Sequence, residues 1–269
     1  MRRFEDLSGY EVNLAAAHEL VARAYTSSVL MKRKQVLGVV LLGGAARGYA
    51  DELSEIDLSI FLSKRRFGKI PSGEHIWRGY LLDNDLYVYR NEIKAQWSQE
   101  KRQAFSEGKI LFEKRKQMTR LLGTKLALNA AERRNVIIES LLFFEDRIED
   151  ADVVWPKRGH LPSAHYALNR AVEYLLRILY AYNHKFLPGD KWRLYYSYHL
   201  PWLPRGYPEH MSRAMTVRNL TRTNLRRRVL ALKRLDQALR RRLNQDRILP
   251  RNVYRYCVEK LWTRERNER

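Results

Sequence analysis

The sequence predicts an α+β protein, in which a small sheet-containing domain is followed by an all-α helical bundle. Two observations indicate this order. Short apolar runs rich in β-branched residues are concentrated before residue 90. Beyond residue 91, apolar residues recur every three or four positions, which is typical of amphipathic helices. The change of pattern divides the chain into domains of residues 1–125 and 126–269.

The elements of the first domain follow from its hydrophobic patterns. A periodic stretch at residues 13–30 predicts an amphipathic helix. Short, β-branched or alternating runs predict three strands, at residues 36–42, 56–62 and 80–89. A polar stretch at 47–55 and a proline-containing stretch at 68–73 predict loops between them.

The second domain shows the helical period almost throughout. Helices are predicted at residues 92–106 and 117–129, which lead into it, and then at 131–149, 164–185 and 220–244. Residues 150–162 and 186–208 contain several prolines and predict loops.

Charge is the unusual property of this chain. Its 51 Lys and Arg residues against 30 Asp and Glu residues give a net charge of +21. A charge this high repels itself and indicates an anionic partner. Nucleic acid is the first candidate and an anionic membrane surface the second, whereas a polycationic partner is disfavoured.

The single cysteine, Cys257, excludes an intramolecular disulfide and any cysteine-rich zinc site. The longest apolar run, residues 36–46, is far shorter than the roughly 20 residues that cross a bilayer. The N-terminus has no apolar signal core. We therefore expect a cytoplasmic protein without a membrane partner.

The residues with the clearest chemistry lie around the first two strands. Gly43 and Gly44 end the first strand, and Glu55 and Asp57 open the second at positions i and i+2, which share one face. Two adjacent carboxylates repel each other unless a cation lies between them, and Mg²⁺ takes carboxylate and phosphate oxygens. Glycines let backbone N–H groups approach an anion, and Arg47 adds a charge for a phosphate.

This arrangement resembles the polymerase-beta-like nucleotidyltransferase superfamily. Its hallmark is a hydrophobic residue, Gly, and Gly or Ser, then about ten residues, then two acids that flank a hydrophobic residue. Here residues 45–54 separate Gly43-Gly44 from Glu55-Ile56-Asp57. The family has a third acid on a later strand. Asp85 is our choice for it, and Asp83, which is two positions away and shares the same strand face, is the alternative.

The resemblance extends to the kanamycin nucleotidyltransferase-like branch, which has a helical C-terminal domain. Residues 43–51 and 183–192 look like stretches of uncharacterised members of that branch. It implies a mixed sheet and the transfer of a nucleoside monophosphate from a nucleoside triphosphate to an acceptor hydroxyl, with release of pyrophosphate. It also implies two Mg²⁺ ions, both held by Glu55 and Asp57. Asp85 would ligate the catalytic ion and help to deprotonate the acceptor.

Further contacts to the triphosphate are expected from Gly43, Gly44 and Arg47. Lys191, next to Trp192, is a candidate for a phosphate or base contact, and an aromatic packing loop is the alternative. Two residues depart from the family pattern. Gly44 stands where Ser is frequent, and Glu55, one methylene longer, stands where Asp is usual.

Two faces of the helical domain are candidates for acceptor binding. Residues 218–242 contain ten Lys and Arg residues and one acid, Asp236, which predicts a basic outer face or an ordinary solvated one. Phosphate contacts are predicted for five arginines of this face: Arg222, Arg226, Arg227, Arg228 and Arg234. On the preceding helix, Glu173 is either a general base or the partner of Arg177.

Several acceptors are consistent with these features. The favoured one is RNA, for example a tRNA end. A small hydroxylated molecule of the aminoglycoside kind is the second, since five acids could form a pocket for it: Glu139, Glu145, Asp146, Glu149 and Asp150. The third reading is an inactive nucleotidyltransferase-like module that only binds RNA. A protein acceptor also stays open, because a fold does not fix a function.

Overall fold

The structure is a computed structural model that describes residues 13–64 and 70–263. It contains two compact units, with the boundary between Ala127 and Leu128. The first combines a sheet with helices and the second is helical in its described part. The predicted α+β class is confirmed.

The first unit is built on a five-stranded mixed sheet with the strand order β3-β4-β2-β1-β5. Strands β2 and β4 pair in parallel, and the other neighbours are antiparallel. The strands are β1 (Val36–Leu41), β2 (Ile56–Leu62), β3 (Gly73–Trp77), β4 (Tyr80–Val88) and β5 (Lys109–Glu113).

Five helices accompany the described strands of this unit. They are α1 (Ala15–Tyr25), α2 (Gly43–Arg47), α3 (Tyr89–Lys94), α4 (Gln99–Ser106) and α5 (Gln117–Lys125). A π-helical turn, Thr26–Leu30, extends α1.

The two faces of the sheet carry different clusters. On one face, Leu58 and Ile60 of β2 pack in a cluster with Tyr25 of α1. On the other, Phe61 packs in a cluster with Phe105 of α4 and Met118 of α5. Because side chains alternate along a strand, Asp57 lies on the same face as Phe61.

Some elements of this unit were not predicted. Strand β3 pairs with β4 through the two-residue turn Arg78-Gly79, in which both residues have positive φ, 51° and 84°. This turn type favours a tight hairpin. Strand β5, at the other edge, is only five residues long, and the predicted helix at 92–106 is interrupted between Lys94 and Gln99. Short edge strands give weak periodic signals.

Seven helices are described in the second unit. They are α6 (Ala130–Glu149), α7 (Trp155–Lys157), α8 (Leu161–Tyr182), α9 (Asp190–Ser197), α10 (Tyr207–Met215), α11 (Arg222–Gln245) and α12 (Val253–Tyr256). Two π-helical turns, Asp150–Val154 and Cys257–Trp262, continue α6 and α12.

The loop predicted at 150–162 is wrong in large part, and the loop predicted at 186–208 is interrupted by a helix. The π-helical turn and α7 occupy most of the first, and α9 lies in the second. Prolines lie in the first turn of α7, α8 and α10. At that position proline needs no N–H partner and starts a helix, so these prolines mark helix starts.

The core of the second unit is continuous and apolar. Helix α8 buries Leu168, Leu175 and Leu179 completely, and Leu141 of α6 and Leu232 of α11 belong to the same cluster. Within the described ranges, no helix has the length and apolar character to cross a bilayer.

Candidate functional site

Asp57 and Gly43 are in direct contact. The Leu42 N–H donates to the Asp57 carbonyl oxygen at 2.9 Å, which brings the end of β1 beside the start of β2. A Cβ placed on Gly43 would lie 1.7 Å from Asp57 Oδ2, and Gly43 has a φ of +63°. Only glycine meets both conditions at this position. The predicted neighbourhood of glycine turn and carboxylate therefore exists.

Gly44 is fixed by a different contact. A Cβ there would lie 2.2 Å from the carbonyl oxygen of Tyr49. This oxygen belongs to the backbone, so it could not make room for a Cβ unless the backbone itself moved. The Tyr49 N–H in turn donates to the Gly44 carbonyl at 2.9 Å. The departure from serine at this position thus has a steric reason in this chain.

The parallel pairing of β2 and β4 sets which carboxylates meet. Asp57 is the Cα partner of Asp83, and Ser59 is the partner of Asp85. Adjacent strands lie about 4.8 Å apart, and all of these side chains share a face by the alternation of the strands. Asp83, the alternative third acid, is therefore directly across from Asp57. Asp85 lies two residues further along β4, across from Ser59.

The charges of these acids act on one another. Burial first, and then the charges of Glu55, Asp83 and Asp85, raise the pKa of Asp57 to about 6, against the opposing effect of Arg47. The pKa of Asp83 is also raised, by burial first and then by Asp85. The negative charge here exceeds what nearby cations neutralise.

The carboxylates share this face without being gathered into a ligand set. Within the described ranges, no three acidic, His or Cys side chains lie close enough together to hold a metal ion. The residues still fit a divalent cation by donor type, since hard cations take carboxylate oxygens. The contact between Gly43 and Asp57 also keeps the space beside this carboxylate free of a Cβ.

The loop between α2 and β2 is held by Asp51, which sequence analysis missed. Its carboxylate accepts from the Leu53 N–H at 3.0 Å and from the Ser54 hydroxyl at 2.8 Å. The Tyr49 hydroxyl donates to the same carboxylate at 3.2 Å. This Asx-type turn fixes the approach to Glu55.

Arg47 ends α2 and faces the acids. It forms an ion pair with Glu107 at 3.8 Å, and it is close enough to Asp57 to lower the pKa of that carboxyl. Its predicted contact with a phosphate remains a prediction.

Asp85 has an anchor that was not predicted. The Tyr87 hydroxyl donates to Asp85 Oδ2 at 3.1 Å. The Tyr87 ring stacks on Phe61, with centroids 5.3 Å apart, and Lys101 Nζ lies 4.0 Å from its centroid. The only signal in the sequence is the i, i+2 spacing of Asp85 and Tyr87, which puts them on one face.

The other predicted residues near a phosphate or acceptor lie in the second unit. Lys191 is exposed on α9, with Nζ 5.6 Å from the Trp192 ring centroid. Glu173 accepts a hydrogen bond from Arg193, so its predicted pairing with Arg177 is wrong. The Arg177 guanidinium lies 5.8 Å from the Tyr174 ring centroid instead.

The basic helix α11 is only partly as predicted. Arg222, Arg226, Arg227 and Arg234 are exposed, and Arg222 donates to the Pro156 carbonyl at 3.0 Å. Arg228 is fully buried, so the prediction that it lines the outer face is wrong. The helical period places Arg228 on the same side of α11 as the buried Leu225 and Leu232. Its guanidinium finds hydrogen-bond partners inside the unit.

Three acceptors hold the buried Arg228. Its guanidinium donates to the carbonyl oxygen of Ala214 and to Asn169 Oδ1, both at 2.5 Å, and it lies 2.6 Å from His165 Nδ1. Burial lowers the pKa of Arg228, and burial together with this arginine lowers the pKa of His165. A neutral His165 accepts the hydrogen bond through Nδ1.

Acids neutralise one side of α11, and two of them, Asp152 and Glu145, come from outside the helix, which the sequence did not indicate. Lys233 pairs with Asp152 at 2.6 Å, and Arg240 pairs with Glu145 at 2.6 Å and Asp236 at 2.8 Å. The other side carries Arg227, Arg234 and Arg241 at seven-residue intervals, all exposed. No acid of the described residues pairs with these three, which we call the arginine stripe.

The neutralised side of α11 borders a cavity of about 470 Å³. Glu145 and Glu149, two of the acids predicted to form a pocket, line it together with Asp152 and Asp236. Lys233 and Arg240 also line it, and each is already paired with these acids. The cavity is therefore less acidic than the sequence indicated.

We expect Asp57→Asn to stabilise the fold at about pH 7.5. The folded pKa of about 6 lies above the usual 3.8, so the folded state binds more protons between these values and loses stability as the pH rises through them. Removing the charge removes the cost of its burial first and then the repulsion from Glu55, Asp83 and Asp85, together on the order of 1–3 kcal/mol. Urea unfolding checks this, and the gain should vanish toward about pH 4; a less stable variant at about pH 7.5 contradicts it.

We expect Arg228→Met to lower the free energy of unfolding by about 2–3 kcal/mol, because three buried acceptors lose their donor while the apolar stem is retained. Urea unfolding measures this. The matched control is Arg227→Met at the adjacent exposed position, which should change stability by less than about 0.5 kcal/mol. Equal stabilities of the two variants would contradict the buried network.

Comparisons with known proteins add a remote likeness to solved structures. No protein-family model and no curated protein matches the chain. Among solved structures it is similar to the crystal structure of a nucleotidyltransferase-like protein from Exiguobacterium sibiricum, with a TM-score of 0.47 and 14% identity. The match covers 82% of this chain and 76% of the other.

Proposed function

We propose that this chain is a nucleotidyltransferase that moves a nucleoside monophosphate from a nucleoside triphosphate to a hydroxyl of RNA and releases pyrophosphate. One observation carries the proposal. The register of β2 and β4 sets Asp57 opposite Asp83 on one face, directly beside the glycine turn at Gly43. Carboxylates on neighbouring strands beside a glycine turn suit the handling of a cation and a phosphate chain.

Each acid has a proposed role. Glu55 and Asp57 would hold a divalent cation together with one acid of β4. The register supports Asp83 for that place, and the family resemblance favours Asp85. Bound Mg²⁺ supplies charge neutralisation for a triphosphate and a lower pKa for a hydroxyl. The second acid of β4 is then free to accept the proton of the acceptor hydroxyl.

The proposed triphosphate side is the side of β1. Gly43 lies against the Asp57 carboxylate and Gly44 lies against the Tyr49 carbonyl, so the proposed anion contact of this turn would come from its backbone N–H groups. Arg47 supplies positive charge near Asp57. Lys191, next to Trp192, is proposed as a further contact to a phosphate or a base. Positioning and charge neutralisation do most of the work in such a reaction, so rigid placement of these residues matters more than their reactivity.

RNA is the acceptor that the charges support best. The net charge is +21, and the arginine stripe is an unneutralised line of cations along α11. Arg222 and Arg226 extend the proposed contact toward the start of the helix. A small polycationic acceptor is less well supported, because Lys233 and Arg240 already neutralise acids of the cavity.

The direct test is the labelling of RNA. We expect the protein to transfer label from an α-labelled nucleoside triphosphate to total RNA in the presence of Mg²⁺. Asp57→Asn should reduce the rate at least about 100-fold, because the charge that balances the cation is lost. Labelled RNA is measured after electrophoresis.

The controls separate chemistry from charge. Glu52→Gln removes an exposed acid from the preceding loop and should leave the rate unchanged. Asp83→Asn and Asp85→Asn, compared side by side, identify the acid of β4 that holds the cation as the one whose loss also weakens Mg²⁺ binding. Absence of labelling with all four triphosphates, or full activity of Asp57→Asn, contradicts the proposed function.

Salt dependence tests the RNA contact. We expect the variant Arg227→Gln/Arg234→Gln/Arg241→Gln to bind RNA more weakly, and its slope of log K against log salt to fall by about 2, since each phosphate contact contributes about 0.7–0.9. A filter-binding series measures the slope.

A matched control has the same change in net charge. Arg147, Arg213 and Arg255 are arginines of the same unit that are already paired with acids. Their triple replacement by Gln should alter the slope much less. If the slope of log K against log salt falls equally in both triple variants, RNA binding follows net charge alone and the stripe has no special role.

A further inference from the structure

We infer that an exposed apolar strip formed by Ile76 and Leu81 is the surface on which the last base of the acceptor RNA packs. This inference rests on the proposed function and adds the direction from which the acceptor approaches. Ile76 and Leu81 are Cα partners in the β3–β4 hairpin.

The strip lies on the face of the carboxylates. The next pair along the hairpin is Glu74 and Asp83, and Asp83 pairs with Asp57 across β4 and β2. Partners two positions apart project from the same face. Two residues of strand span about 7 Å, so the strip begins about that far from Asp83.

The strip is uncovered, unlike its surroundings. Ile76 is 76% exposed and Leu81 is 41% exposed, whereas Leu82, on the opposite face of β4, is fully buried. That opposite face is anchored to α1, because Asn84 donates to the Tyr25 hydroxyl at 3.2 Å and the Trp77 ring lies 5.3 Å from the Tyr25 ring. Two apolar side chains side by side on an exposed edge hairpin are unusual, since edges are normally protected by charge.

The strand order separates the strip from the proposed triphosphate side. Gly43 and Gly44 follow β1 on one side of β2, while β4 and β3 lie on the other side. In nucleotidyl transfer the attacking and leaving oxygens are in line on opposite sides of the phosphorus. With the leaving pyrophosphate near the glycines, the attacking hydroxyl comes from the side of β4 and β3.

The chemistry of the strip suits a neutral, flat group. Glu74 and Asp83 border one end of it and repel an uncompensated phosphate. A nucleobase is planar, uncharged and partly apolar, and its amino groups can donate to a carboxylate. Of the bases of an RNA acceptor, the one that adjoins the reacting hydroxyl lies nearest to this strip.

The test compares two short single-stranded RNAs, one complete and one that lacks the base of its last nucleotide. Binding is measured without triphosphate, so the result does not depend on turnover. We expect the wild-type protein to bind the complete RNA about 5- to 10-fold more tightly. Ile76→Gln/Leu81→Gln should bind both RNAs equally and as weakly as the wild type binds the abasic one.

Controls make the outcomes distinct. Leu20→Gln/Ile93→Gln removes two exposed apolar side chains of the same unit and should retain the preference for the complete RNA. Sedimentation of each variant shows whether the strip instead joins two copies of the chain. Equal binding of both RNAs by the wild type, an unchanged preference in the strip variant, or a dimer that only this variant loses would overturn the inference. Loss of labelling with the preference intact would overturn only the proposed function.

Discussion

The Asp57 carboxylate is confined between a glycine and other acids, and the rest of the site depends on this crowding. Gly43 lies so close that no side chain fits there, and the parallel register fixes Asp83 opposite. Burial and repulsion together raise the pKa of Asp57 to about 6. A neutral residue at this position would make the folded state more stable. The buried charge therefore indicates a function that is retained at the cost of some stability.

The side chains of these acids are held by different partners. Asp57 lies against Gly43, whereas Asp85 accepts a hydrogen bond from the Tyr87 hydroxyl. The Tyr87 ring stacks on Phe61 and contacts Lys101. The backbone register therefore determines which acids are neighbours, and the contacts of each side chain determine where its carboxylate lies.

Sequence patterns predicted the parts of this molecule in which local and tertiary signals agree. Strand β2 has the predicted bounds, because a short apolar run coincides there with a strand that is buried at every residue except Asp57. Register was not predictable: the i, i+2 rule puts Asp83 and Asp85 on one face, but only the pairing of β2 with β4 decides which of them faces Asp57. Arg228 was misplaced for a related reason, since a charge pattern does not reveal that three acceptors from other helices surround a buried guanidinium.

The proposed function places two opposite charge requirements on the chain. An RNA would be attracted by a field of cations that acts over roughly a Debye length of 8–10 Å, and the arginine stripe, with which no acid of the described residues pairs, would provide it. A cation site would need the reverse, a local excess of acids, which the first unit has around Asp57. Because screening confines each field to its own neighbourhood, a protein with a charge of +21 can hold a strongly acidic sheet face. Arg47 is the cation that acts within this range on Asp57, and its single charge leaves the acids in excess.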